Sequence, residues 1–266
     1  MVNGETVSFE SQLEKIETAA APILRQIISS RSVAGLSDSQ RSRVGDFIAA
    51  QSFRTEAFYK GLGQSFRHEF GSIFVQLWQS AFLLSAEIAQ RKWVVMEIYH
   101  DDVFYLGDHP IVLQHTEQPE FKRELGFDIK GVEAFLPLAP KCALYMPCVS
   151  ISQQVICGYE AALSTPETIR VAKELEAETP IEDAELLRVA QRVICNSRAL
   201  YEAMTQGSAL VAAPENVENL NYLQCAFAHT AVYSNRRDFT FARHVFQKTP
   251  QYRDTVKVRL GAFGVA

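Results

Sequence analysis

The hydrophobic period of this chain changes twice along its length, and that order restricts the class of fold it can adopt. Up to Gln90, apolar residues recur at steps of three and four, the spacing of one helical face. From Trp93 to Ile156 the pattern breaks into short runs of β-branched and aromatic residues separated by turn residues. After Thr165 the helical spacing returns. No strand–helix–strand alternation is visible, which argues against a parallel sheet. The order predicts an α+β fold, with a mostly antiparallel central sheet flanked by N-terminal and C-terminal helical clusters. A packed core is affordable: 47% of the 266 residues are hydrophobic, and a chain this long buries about 70–75% of its unfolded surface without a disulfide or a metal. No Gly/Ser-rich or Pro-rich linker divides it. Residues 1–266 therefore read as one α+β domain: helices over 8–91, a sheet-rich part over 92–158, helices over 164–248 and a terminal strand over 255–261.

Within that frame, Leu13, Ile16, Ala20, Ile23 and Ile27 form one stripe of a first helix. Ser37 and Gln40 have capping-box spacing at the start of a second, which carries Val44, Phe47, Ile48, Gln51, Arg54 and Phe58. A third helix over 64–90 is apolar around much of its circumference and is expected to be the most buried. Strands are expected at 93–99, 103–106, 111–113, 135–138, 143–146 and 149–156. Later helices are expected from Pro166, over 182–205, from Pro214 through Ala231, and over 239–246.

Charge narrows the function classes. Lys and Arg total 26 against 31 Asp and Glu, a net charge of −5, so a phosphate-binding basic surface is not expected. The nearest basic features, Arg236-Arg237 and the run from Lys248 to Arg259, are interrupted by Asp238 and Asp254. The five cysteines, Cys142, Cys148, Cys157, Cys195 and Cys225, make no C-x-x-C pair. Together with an acidic N-terminus (Glu5, Glu10, Glu14, Glu17) unlike a secretory leader, they point to free thiols in a cytoplasmic protein. The uncharged stretch 70–86 contains two Gln and three Ser and reads as a core helix rather than a membrane span.

The residues that stand out are polar groups on apolar stripes. Phe47, Gln51, Arg54 and Phe58 are spaced 4, 3 and 4, so Gln51 and Arg54 share a face with two phenylalanines. A core-facing guanidinium needs a carboxylate and hydrogen bonds. Asp108, in the turn Gly107-Asp108-His109-Pro110, could cap that turn locally or reach Arg54. Three readings stand: a buried structural ion pair, a polar pocket in which Gln51, Arg54 and Asp108 contact a ligand, or an Arg54 that snorkels to the surface. Asn221 lies beyond the first turn of its helix and could face the same interior, and His229 and Tyr233 follow four residues apart. His100, Asp101, Asp102, Asp108, His109 and His115 suggest a metal site by composition, but their spacing matches no closed motif, and no metal ligand set is assigned. Phosphate-loop, dinucleotide, nucleophile-elbow and H-E-x-x-H templates are missing.

At these residues the chain resembles a family of uncharacterised bacterial proteins grouped as a domain of unknown function. The likeness is carried by 47–58 (FIAAQSFRTEAF), 104–112 (FYLGDHPIV), 135–140 (FLPLAP) and 221–234 (NYLQCAFAHTAVYS). Their order is similar to the family's Gln-x-x-Arg-Thr helix, Asp-x-Pro turn, Pro-Leu-x-Pro strand and late Asn/Tyr-Ser helix. It implies shared roles for Gln51, Arg54, Asp108, Pro110 and Asn221, and no particular activity. It also implies an N-terminal His-x-x-Pro segment in fuller members, which this sequence does not carry before Phe9.

Two functional readings follow. In the first, a cytoplasmic protein acts by binding a protein or small-molecule partner, without a cofactor, and the Gln51, Arg54 and Asp108 set mainly holds the core together; Gln51, Asn221 and Tyr233 are the ligand-facing candidates. The alternative is a metal-dependent hydrolase, a nuclease-like effector of phage–bacteria conflict. Its catalytic candidates are Arg54 for a phosphate and Asp108 with His109 or Glu97 around a divalent metal.

Overall fold

The computed structural model describes residues 9–54, 81–115, 125–166, 169–170 and 197–249. Helix α1 runs over Phe9–Ser30 and buries Leu13, Ala20, Ile23 and Ile27 at the expected helical spacing. Helix α2, Asp38–Phe53, opens on the anticipated capping box: Gln40 N–H donates to the Ser37 hydroxyl at 3.3 Å, and Ser37 N–H to the Gln40 side-chain carbonyl at 2.9 Å. Residues 81–90 are helical; the expected helix over 64–80, the part of the 182–205 helix up to 196 and the strand over 255–261 lie outside the described residues.

Strands β1 (Val94–Glu97), β2 (Leu106–Gly107), β3 (Val112–His115), β4 (Val132–Ala139) and β5 (Cys142–Pro147) follow. Helices α3 (Val149–Leu163) and α4 (Ser197–Gln206) precede β6 (Ala209–Val211), and α5 (Pro214–Phe227), β7 (Val232–Tyr233) and α6 (Thr240–Lys248) complete the chain as described. Five strands form one sheet in the order β3-β4-β5-β1-β6, antiparallel throughout except for the parallel β1–β6 pair. The fold is α+β, as the two changes of period require.

Alternation along the strands places successive side chains on opposite faces, and each helical cluster takes one face. Val95, Ala134, Leu136, Leu144 and Met146 pack with Ile23, Ile27, Val44, Ile48, Ile88 and Trp93 of the N-terminal layer. Val94, Met96, Val112, Phe135, Ala143 and Tyr145 pack with Met204, Val217, Leu220 and Leu223 of the C-terminal layer. Because both faces are covered, β5 is buried at every position.

Four expectations need correction. Of the strand expected over 103–106 only Leu106 lies in one, the two-residue β2. Residues 149–156 belong to α3, not to a strand: Ser152 and Tyr159 are buried, and Val155 and Ile156 pack on the core, a spacing of three and four. Val149, Ile151 and Val155 mimic strand alternation, but burial selects the other period. Helix α5 stops at Phe227, where Ala228 turns extended, so His229 and Tyr233 are not on it and Tyr233 belongs to β7. Finally, the core-facing cation is Arg91, not Arg54. Arg91 is 2% exposed; it donates to the Val132 and Met146 carbonyls at 3.2 and 3.1 Å, also to Phe127 O, and pairs with Glu87 at 3.3 Å. It joins the end of the 81–90 helix to the β4–β5 hairpin. Beside it, Arg41 lies 4.3 Å from the Trp93 ring centroid and donates to Ala89 O and Arg91 O, carbonyls at that helix's end.

Candidate functional site

The segment 103–110 contains β2, which with β7 makes a strand pair only two residues long. Two side-chain amides on α5 make such a short pair viable. Asn221 Oδ1 accepts from Tyr105 N–H at 2.7 Å, and its Nδ2 donates to Val103 O at 2.8 Å. One turn on, Gln224 Oε1 accepts from Gly107 N–H at 2.7 Å, and its Nε2 donates to Pro110 O at 2.9 Å. Each amide thus presents a donor and an acceptor to the backbone, as a neighbouring strand would. Extended backbone directs alternate N–H groups to opposite sides, and on the other side Asp108 N–H donates to Ala231 O at 3.0 Å beside the β2–β7 pair. Gly107 is required sterically: a Cβ there would lie 2.9 Å from Gln224 O and 3.3 Å from the Ala228 Cβ. The Val103 and Tyr105 side chains are buried with Cys225, Ala242 and Val245, which fixes the segment's facing.

Asp108 closes the far end. Its carboxylate accepts from His229 N–H at 2.7 Å, from Thr230 N–H at 2.6 Å and hydroxyl, and from Ala231 N–H at 3.2 Å. Burial alone would raise its pKa, but the Thr230, His229 and Ala231 hydrogen bonds outweigh that and hold the group below the ordinary carboxylate value. Burial lowers the neighbouring His109 to about 4, although the Asp108 charge opposes the shift, so the imidazole is neutral at pH 7.

The structure therefore separates the singled-out residues into two groups. Asp108, Pro110 and Asn221 meet along 103–110, with His109 in the same turn and Tyr233 in the adjoining strand, 59% exposed. Gln51 and Arg54 stand elsewhere, at the end of α2. Gln51 is half-buried; Arg54 is 42% exposed at its side chain and pairs with Glu17 of α1. Arg54 and Asp108 do not pair, and the expected buried guanidinium at Arg54 is replaced by an exposed one.

Residues that suggested a metal site are also dispersed. His100 pairs with Asp102 at 3.1 Å, Asp108 serves the 229–231 backbone, and His115 packs against Gly131. Among the described residues no three His, Cys, Asp or Glu side chains converge to hold an ion. No described helix is long and apolar enough to cross a membrane.

Two polar features were missed at the sequence level. Gln224 is 0% exposed, three residues after Asn221, which is 8% exposed, on a face otherwise made by Val217, Leu220 and Leu223. A second amide at helical spacing on an apolar stripe was the available signal. The other is a chain of side chains on the sheet: Tyr145 donates to Glu133 at 2.5 Å, Gln114 to Glu133 at 2.9 Å, and Asn219 to Gln114 at 2.9 Å. Burial, first, and the Glu133 carboxylate, second, push the Tyr145 hydroxyl pKa up. Cross-strand pairing of Gln114 with Glu133 creates this contact and is invisible without the register.

Residues 3–238 match the family described as "Protein of unknown function (DUF4238)", and the chain belongs to that family. No curated protein and no solved structure matches it.

Proposed function

We propose that this family member works by binding, as a cytoplasmic interaction protein for a protein or small-molecule partner, and that Asp108 and Asn221 hold its architecture together. One observation carries the reading. The Asp108 carboxylate and both ends of the Asn221 amide are engaged by the protein's own backbone. A carboxylate saturated by N–H donors is a poor general base and a poor metal ligand, because its charge is already stabilised and its lone pairs are already engaged. The net charge of −5 argues against duplex nucleic acid as the partner.

The test separates fold from chemistry. The full chain, assayed with bis-p-nitrophenyl phosphate in Mg²⁺ or Mn²⁺, should show no turnover, and Asp108→Asn should lower the melting temperature. Turnover that Asp108→Asn abolishes while melting stays at the wild-type value would overturn the reading in favour of a hydrolase.

A further inference from the structure

A cavity of about 210 Å³ opens between α1, α2 and the helix at 81–90. Its character changes with depth. Ala50 and Ala81 are buried and Ile16 and Ala19 half-buried, whereas Lys15 and Arg43, which also line it, are exposed. Phe82, 59% exposed, extends the apolar lining to the mouth, where the cationic groups stand. Among the described lining residues the one carboxylate is Asp46, which accepts from the Ser85 hydroxyl at 2.6 Å. Among the described residues no ion pair engages Lys15 or Arg43. Two cations against one carboxylate in the described lining leave this cavity with a positive bias on a chain whose net charge is negative.

From this geometry we propose that the cavity binds a small amphipathic carboxylate, its alkyl chain against Ile16, Ala19, Ala50 and Ala81 and its head between Lys15 and Arg43. The volume sets the size: a dry cavity of ~150 Å³ takes up benzene, so this one accommodates a chain of about six to eight carbons. The chain removes apolar surface from water, and the guanidinium offers a planar fork to the carboxylate while the ammonium supplies a second charge. A cationic ligand would face both positive groups. A purely polar anion would leave the apolar part unfilled.

This ligand class rests on the binding reading above and narrows it. The probe is octanoate, titrated calorimetrically into the full chain, with 1-octanol and acetate as comparisons. Octanoate is expected to bind saturably at one site and to raise the melting temperature. Octanol, lacking the charge, should bind about tenfold more weakly, and acetate, lacking the chain, should not saturate. Lys15→Glu with Arg43→Glu should weaken octanoate by about tenfold or more while the unliganded melting temperature holds, since both side chains are exposed. Ala19→Leu, which fills the cavity from its half-buried wall, should block both octanoate and octanol. Failure to saturate, equal binding of octanol and octanoate, or indifference to charge reversal each overturns the proposal. Those failures would leave the architectural roles of Asp108 and Asn221 standing, whereas Asp108-dependent turnover would overturn those roles and not this site.

Discussion

The end of α2 and the segment 103–110 use polar side chains in opposite ways. At the end of α2, Arg54 reaches an exposed partner, Glu17, and both remain substantially in water. Along 103–110, Asn221 and Gln224 are directed at backbone groups buried beneath α5, and Asp108 gathers the backbone N–H groups of the half-exposed 229–231 turn. An exposed ion pair contributes little, because water solvates the separated charges nearly as well. An amide that serves an otherwise buried N–H and C=O cannot be removed without leaving both unsatisfied. The same contrast holds between two arginines: exposed Arg54 is dispensable by this logic, and buried Arg91 is not.

The sharpest way to break the comparison is Arg91→Ala. Loss of a buried cation serving three carbonyls and Glu87 should cost about 3–5 kcal/mol in urea denaturation. A loss below about 1 kcal/mol would mean that water replaces the guanidinium and that burial is not what separates the two arginines. Next comes Asn221→Ala, expected to cost about 2–4 kcal/mol because Tyr105 N–H and Val103 O are both left without partners. Amide hydrogen exchange should accelerate at Tyr105 and remain slow at Gly107, which Gln224 still holds. Equal acceleration at both would show that the two amides act as one unit.

Asp108→Asn should cost about 1–2 kcal/mol, by replacing a charge-assisted acceptor with a neutral one. The pH dependence sharpens the same region. The His109 pKa is lowered from 6.5 to about 4 in the folded chain, so the unfolded chain binds the extra proton between those values. Stability from this group is complete above pH 6.5 and is lost as pH falls towards 4, with a slope of at most about 1.4 kcal/mol per pH unit. His109→Gln should flatten that limb. The Asp108 contribution, from a pKa held below its usual value, persists through this window and is lost only under stronger acid. The smallest effect is expected for Arg54→Ala, at about 0–1 kcal/mol by chemical denaturation. A cost comparable to that of Arg91→Ala would restore the core role that the spacing of Phe47, Gln51, Arg54 and Phe58 suggests.

That spacing illustrates how far the sequence is legible. Four residues at steps of 4, 3 and 4 do share a helical face, but α2 ends at Phe53, and Arg54 is its C-cap. Past the last turn, helical spacing no longer reports which way a side chain points. The same error carried the α5 pattern through to Tyr233. In contrast, the capping box at Ser37 and Gln40 was readable because all its partners lie within four residues. Among the site residues, Asp108 and Asn221 were identifiable as unusual, yet their partners were not.

What the sequence by itself determined is local: the two changes of period, the helix start at Ser37, and hence an α+β fold with a helical cluster on either side of the sheet in chain order. Short-range periodicity and capping depend on neighbours a few residues away, so they are written in adjacent letters. Which polar group meets which was decided only by tertiary structure. Asn221 lies 116 residues from Tyr105 and Asp108 lies 122 from Thr230. An amide can serve any exposed N–H, and only the packing of α5 against 103–110 removes the competing water from Tyr105 N–H and selects its partner, while the chain's path brings the 229–231 turn to Asp108.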